Sequence, residues 1–462
     1  MATTKPLAKR DDRVVARAYE TASQTGVLLA VLLGVLAGAG IGLYFQNLGL
    51  GLSVAVGSSW LIASIGSASS AVERWSPLRV FLPVLFTYTS AGISLSGSDT
   101  ATLEWWALVL ALMGFGLGYS IAFSGAKQRA IAETPLPPSE PRVKMIFLLF
   151  AIATAVYALM WLQAGGPPAL ADDVNTARTQ FFTSGVASTL VSIGYQVGLI
   201  VPVGLMLLRE EIPHRRGLMW VAALSLLALL SLGNRGVIVG PAVILLIIAL
   251  WNRALPIVLG MLLASAGLII FSYAGFERNL TAWGSSYLND LALAGYSDAD
   301  RIFAPVLSYV SGTSWTFSQT IHLIPAQVPF QMGQQFFGPI LFSPSADLFL
   351  KEALGLDFVG FGLALGFVNA FYLDWGLIGC FVGPFVFGIF IAMIYRLARF
   401  SSPAWVILIA YVLSKLLLSV YGHPFAYLAY IIAPLLIYFA AGGTLRELTP
   451  RRSSTPIGLA TA

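Results

Sequence analysis

Apolar runs near twenty residues long recur from residue 25 to residue 442, at 25–44, 50–69, 79–95, 104–123, 144–163, 186–208, 217–232, 236–251, 255–274, 375–395, 403–420 and 424–442. Each approaches the length a helix needs to cross a hydrocarbon core of about 30 Å. The pattern predicts an all-α polytopic membrane protein with about twelve transmembrane helices in one membrane domain. Two of the intervening segments are long, 164–185 and the stretch 275–374 between the ninth and tenth runs. Connections of that length inside a compact protein are usually functional. The longer one carries Trp283, Tyr287, Trp315, Phe317, Phe336 and Phe337 among apolar stretches too short to span, which predicts short helices lying on or dipping into the membrane surface. The chain thus divides into a basic tail (1–24), helices one to nine (25–274), a large loop (275–374), helices ten to twelve (375–442) and a second tail (443–462). No repeat of 20–50 residues and no matching pair of Gly/Pro-broken segments marks an inverted-repeat transporter.

Charge orients this layout. With the N-terminus cytoplasmic, 20 of the 26 lysines and arginines fall on the inner side, counting Arg79 and Lys144 at helix ends. Only Arg178, Arg235, Arg278, Arg301 and Lys351 fall outside, and Lys415 lies within a run. The positive-inside rule predicts this asymmetry for a multi-pass protein of the bacterial inner membrane with both termini cytoplasmic, and it makes the loop 275–374 extracytoplasmic. Composition agrees, with 57% hydrophobic and 10% charged residues and a mean hydropathy of +0.82. The basic excess is a cytoplasmic property rather than a nucleic-acid-binding face, since 12 of the 21 acids lie outside. Lys5, Lys9, Arg10, Arg13 and Arg17 precede a first run longer than most secretion signals, which reads as an uncleaved signal anchor, although Ala37-Gly38-Ala39 imitates a cleavage site. Cys380 is the single cysteine, so an intrachain disulfide framework and a cysteine metal site are both excluded.

Outer-side cations are unnecessary for topology, so each asks for an explanation. Arg235 sits in Leu232-Gly233-Asn234-Arg235-Gly236, a hairpin tight enough to hold it at the membrane boundary between two helices. Ionisable groups at such depth usually face a cavity, and Gly233 and Gly236 permit close backbone approach, so the segment offers a guanidinium and bare N–H groups to an anionic headgroup. The plain alternative is a snorkelling arginine. Arg178 follows the helix-breaking Gly165-Gly166-Pro167-Pro168, where Asp172 or Asp173 can cap a short helix carrying it inward or simply pair with it. Arg278 follows Glu277, and Arg301 follows Asp298 and Asp300, so a paired structural role competes with ligand contact for both. Lys415 lies one to two turns below the outer surface and cannot cheaply face lipid. His423, in the outer turn Tyr421-Gly422-His423-Pro424, suits proton transfer or phosphate contact as readily as a structural role, and His322 is a weaker candidate. Asp173, Glu277, Asp290, Asp298, Asp300, Asp347 and Asp374 are all available as a base. No HExxH, P-loop, GxSxG or outer-side DxD pattern occurs, so neither a metal nor a cofactor is called for.

Cations gathered at the outer face beside a broken helix and an aromatic loop suit a lipid-linked pyrophosphate and a sugar, since guanidinium binds phosphate bidentately and aromatic faces suit pyranose rings. The stretch Gly165–Arg178, the hairpin Gly233-Asn234-Arg235-Gly236 and the segment Asn369-Ala370-Phe371-Tyr372-Leu373-Asp374-Trp375-Gly376 together resemble the oligosaccharide repeat-unit polymerases, the Wzy-type O-antigen polymerase family. The resemblance covers most of the chain in layout. It implies a metal-independent, GT-C-like membrane glycosyltransferase that polymerises undecaprenyl-pyrophosphate-linked oligosaccharides of the lipopolysaccharide kind on the outer face, within membrane lipid and with room for a chain-length regulator as partner. By position, Arg178 and Arg235 match the family's arginines and would contact pyrophosphate, whereas Arg278, Arg301, Lys415 and His423 rest on topology alone. Two other readings stay open: a glycan ligase of the same architecture, and a twelve-helix polysaccharide or lipid transporter, against which the absence of a central cytoplasmic loop counts.

Overall fold

A computed structural model describes residues 31–68, 71–124, 140–171, 185–208, 212–233, 236–252, 303–337, 346–356, 363–397, 402–422 and 429–444, with Arg301 and scattered positions between 174 and 181 and between 259 and 289. Every regular element among them is helical. Leading helices are α1 (Val31–Tyr44), α2 (Leu48–Gly66), α3 (Pro77–Ser96), α4 (Ala101–Ser124), α5 (Val143–Ala164), α6 (Val186–Leu208), α7 (Arg215–Ser231) and α8 (Gly236–Trp251). After the long connection come α9 (Ala304–Leu323), α10 (Ala346–Ala353), α11 (Phe367–Leu397), α12 (Pro403–Leu418) and α13 (Ala429–Ala440). By length and composition α2, α3, α4, α5, α6 and α11 can each cross a membrane, and α1, α8 and α12 are shorter apolar helices.

Glycines set how closely these helices approach, as expected where lipid supplies no hydrophobic drive between them. A Cβ on Gly114 or Gly118 of α4 would overlap the carbonyl oxygens of Phe381 and Phe385 on α11, and one on Gly388 would lie 2.6 Å from the Phe115 oxygen. Phe81, Phe115, Phe367 and Phe387 fill the space between α3, α4 and α11 with edge-on and tilted rings 5.1–6.5 Å apart. Large apolar side chains also cover the outside of the bundle, Leu43, Leu162, Trp220 and Ile378 each being at least 70% exposed.

Basic residues collect at one end of the bundle. Arg79 bonds to Ser67 Oγ and the Ser64 carbonyl at the end of α2, Arg396 donates to the Ala122 carbonyl at 2.9 Å, and the Arg142 N–H donates to the Ala440 carbonyl at 3.0 Å. The far end carries the α3–α4 turn and the α7–α8 hairpin.

Two elements depart from the reading of the sequence. The sequence predicts short helices lying on or dipping into the membrane surface within 275–374, whereas residues 304–323 form one 20-residue helix packed along α3. Tyr88 O–H donates to the Tyr309 carbonyl at 2.9 Å, Ser96 bonds to Ser314 at 3.1 Å, Ser98 to Ser318 at 2.9 Å, and His322 to Asp99 at 3.1 Å. Numbers rise together on both strands of this hydroxyl ladder, so α9 runs parallel to α3. The hydroxyls that pair it internally are what dilute its hydropathy below that of a spanning run.

The tenth apolar run, read as one span at 375–395, is helical from 377 to 397, but at Gly376 (φ 63°, ψ −149°) α11 breaks, and the nine residues before it form a helical stretch that folds back along the rest. Phe367 and Phe387 rings lie 5.7 Å apart and the Cys380 thiol sits 3.7 Å from the Val368 carbonyl, whereas an unbroken helix would separate 367 from 387 by about 30 Å. Residue 367 therefore begins deep in the bundle, where its N–H donates to the Ser419 carbonyl at the end of α12 (2.8 Å).

Candidate functional site

The α7–α8 hairpin ends short of its neighbours. Ser231 at the tip of α7 bonds to Tyr157 Oη at 2.6 Å, and Tyr157 lies about two helical turns, ~10 Å, before the end of α5. The 16-residue helices α8 and α12 rise about 24 Å, against about 33 Å for α5 and α6. The hairpin consequently ends below the tip of α5, which leaves a step, or recess, beside that helix.

Into this recess folds the chain that follows α5. Gly165 caps α5 in the left-handed conformation (φ 78°), and Pro168–Leu170 make a single 3-10 turn. At Gly233 (φ 65°) an added Cβ would lie 3.1 Å from Val174 Cγ1 and 3.4 Å from the Ala169 backbone, so glycine is what lets the two segments touch. Phe181 packs edge-on against Tyr157 at 5.8 Å. The described residues flanking Arg178 and those preceding Arg235 are thus brought together in one place. Arg178, Arg235, Arg278 and His423 themselves lie outside the described residues.

Lys415 is directed at the same hairpin from α12. Ser414 Oγ donates to the Gly240 carbonyl at 3.3 Å, and Lys415 Nζ lies 3.7 Å from where a Gly240 Cβ would be. The ammonium also sits 5.2 Å from the Tyr411 ring centre. Gly240 is one turn along α8 from Gly236, which places Lys415 about 6 Å below the helix start in the axial direction. Gly233 and Gly236 thus flank the hairpin tip, with Lys415 beside α8 about one turn further along. Arg301 belongs elsewhere: its carbonyl accepts the Ala304 N–H at the start of α9, and Ala304 packs against Phe276 and Leu280 on either side of Arg278. His322 is half-exposed and pairs with exposed Asp99 near the α3–α4 turn. Buried Asp374 accepts the Gln335 N–H at 3.2 Å, while the Leu373 and Asp374 carbonyls accept from Gln331 and Met332. It fastens the loop to α11.

A second polar centre was not singled out by sequence. Glu104, in the first turn of α4, is fully buried; it accepts from Thr100 Oγ1 at 3.0 Å and from Ser314 Oγ. Nearby Asn369, 1% exposed in the first turn of α11, has neither amide atom bonded to another described residue. Both line a small pocket between α3, α4, α9, α11 and the end of α12, with room for about one water molecule. The available signal was an acid four residues after Thr100 at the edge of an apolar run, beside the hydroxyl cluster Ser94-Ser96-Ser98.

A helical bundle with apolar side chains facing outward and, among the described residues, six helices long and apolar enough to cross a bilayer is a multi-pass membrane protein. Compared with known proteins, the chain matches no family model, no curated sequence and no solved structure.

Proposed function

We propose that this chain is a metal-independent membrane glycosyltransferase that polymerises lipid-linked oligosaccharide repeat units, with about twelve spans, both termini cytoplasmic and the recess opening on the extracytoplasmic face of the bacterial inner membrane. The observation that carries the reading is the approach of the 169–174 segment to Gly233, with Lys415 turned to the same hairpin. Two arginine-bearing segments and an ammonium around one depression, below the rim of the longer helices, suit an undecaprenyl pyrophosphate whose lipid tail stays in the bilayer. Arg178 and Arg235 would hold the pyrophosphate oxygens, and Lys415 would add charge from below. In the transfer, an acceptor hydroxyl oxygen bonds to the anomeric carbon and loses its proton. The bond from that carbon to the pyrophosphate oxygen breaks, the acceptor's proton passes to solvent, and the carrier leaves with one more negative charge than the donor held, which these cations stabilise. A chain-length regulator is a natural partner for such an enzyme.

The test is Arg178→Ala and Arg235→Ala in cells that assemble the polymer. Both variants should be inserted at wild-type levels, accumulate single lipid-linked units and make no long chains. Wild-type chain lengths in both variants overturn the reading. Accumulation of long lipid-linked polymer in place of single units reassigns the chain to glycan ligation, and substrate flux into vesicles without bond formation makes it a transporter.

A further inference from the structure

At the basic end of the bundle several cations are spent on the protein itself. Arg79 pairs with Glu73 and bonds to Ser67, the Arg396 guanidinium donates to the Ala122 carbonyl, and Arg142 reaches the Gly443 carbonyl at 3.5 Å while lying 5.7 Å over the Phe439 ring. Lys144, Arg215 and Arg216 differ. All three are exposed, and none forms a side-chain hydrogen bond or ion pair with another described residue. Glu140, exposed ahead of α5, pairs with none of them. Arg209, Glu210 and Glu211, which precede α7 in the chain, lie outside the described residues.

The three cations stand together because α5 and α7 meet at their first turns. A Cβ on Gly217 would lie 3.1 Å from Phe147 Cζ, so the start of α7 rests on the Phe147 ring. Lys144 comes three residues before Phe147 and shares its face of α5, while Arg215 and Arg216 immediately precede Gly217. Helical side chains tilt toward their own N-terminus, which directs all three past the basic end of the bundle. Neither helix gains from them, since a cation in the first turn opposes the macrodipole and neither first turn holds an acid. Below the charges the surface is apolar. One turn along from each cation stands an exposed hydrophobic residue, Leu148 after Lys144, Met219 after Arg215 and Trp220 after Arg216. The patch therefore suits a molecule with negative charge at the helix ends and hydrocarbon along the helices. A soluble anion such as inorganic phosphate matches only the first half of that description, and a zwitterionic lipid brings an ammonium of its own to the cluster. An anionic phospholipid matches both halves.

We propose that Lys144, Arg215 and Arg216 hold the headgroup phosphate of an anionic phospholipid in the leaflet at the basic end of the bundle, with an acyl chain lying along Leu148 and Trp220. The lipid bridges the near ends of the two helices that are joined further along by the Tyr157–Ser231 hydrogen bond. That this leaflet is the cytoplasmic one rests on the orientation proposed above; the lipid class rests on the patch alone.

The test uses the full-length protein in phosphatidylcholine nanodiscs, into which acyl-brominated phosphatidylglycerol or acyl-brominated phosphatidylcholine is titrated at low salt. Bromine quenches indole emission on contact, and subtracting the signal of Trp220→Phe isolates position 220. Quenching there by the anionic lipid should saturate, with a half-quenching mole fraction about tenfold or more below that of the zwitterionic one. Lys144→Gln, Arg215→Gln and Arg216→Gln should each raise the fraction of anionic lipid required about fivefold, the worth of one cation beside an anionic headgroup. Quenching by brominated phosphatidylcholine should stay unchanged in all three, which shows that they are folded. Arg396→Gln, removing a cation from the same end but outside the patch, should shift the anionic lipid's half-quenching fraction by no more than about twofold. Equal quenching by the two lipids overturns the proposal, and so does a preference for the anionic lipid that survives all three substitutions. A loss of preference as large in Arg396→Gln as in the patch variants assigns the effect to the general charge of that end and overturns it too. Displacement of the lipid by inorganic phosphate, beyond that produced by sodium chloride of equal ionic strength, makes the patch a site for soluble anions instead.

Discussion

Gly233→Val separates backbone strain from the contact on which the site depends, because Gly185 supplies a matched control. Both glycines are left-handed, at φ 65° and 64°, so a β-branched residue is strained equally at either. They differ in surroundings: a Cβ at Gly185 meets nothing within 4 Å, while one at Gly233 presses on Val174 and on the Ala169 backbone at 3.1–3.4 Å. Valine's extra methyls at position 233 should add an overpacking cost of about 1–3 kcal/mol, roughly a five- to 150-fold shift in favour of the detached segment. Detachment is read by limited proteolysis within 165–185 on purified protein in nanodiscs, and its consequence by the glycan length ladder in cells. Gly233→Val should be cut faster and lose long chains, while Gly185→Val should keep its ladder and be cut no faster than its backbone strain accounts for. Equal behaviour of the two variants in both assays would refute the claim that the approach at Gly233 builds the site.

Lys415→Met should leave thermal stability equal or raised, since burying an ammonium costs more than burying a thioether, while abolishing polymer; a wild-type ladder would make Lys415 structural. Val368→Cys should crosslink to Cys380 under mild oxidation because the two positions touch across the fold-back, and adding Gly376→Ala should lower the yield by straining φ 63° and pushing a Cβ to 2.8 Å from Phe330. A yield indifferent to Gly376→Ala would place the cause of the fold-back elsewhere. In a Cys380→Ala background, Asp99→Cys should react with an impermeant thiol reagent added to intact spheroplasts and Lys144→Cys only after lysis; the reverse pattern would invert the proposed orientation.

Apolar runs near the length of a bilayer core were legible because hydropathy and length are local properties. Segments such as 48–66, 77–96 and 186–208 could be placed within a few residues. The recess was legible only as an expectation, since nothing in Gly233-Asn234-Arg235-Gly236 announces that Ala169 and Val174 will lie against it. That contact joins segments about sixty residues apart, and it shows in the sequence only as a glycine whose reason lies elsewhere. The two elements that escaped did so for opposite reasons. The apolar stretches of α9 are too short to read as a span because Thr313, Ser314 and Ser318 interrupt them, yet those hydroxyls meet partners on α3, α4 and the turn between them and so cost little inside the bundle. The start of α11 looked like the edge of a loop, but one glycine turns it back to the depth of Phe81 and Phe115, carrying Asn369 inward. A polar residue in a membrane protein therefore says little until its partners are known. Ser314 is explained by Glu104, whereas Asn369 meets no hydrogen-bond partner among the described residues.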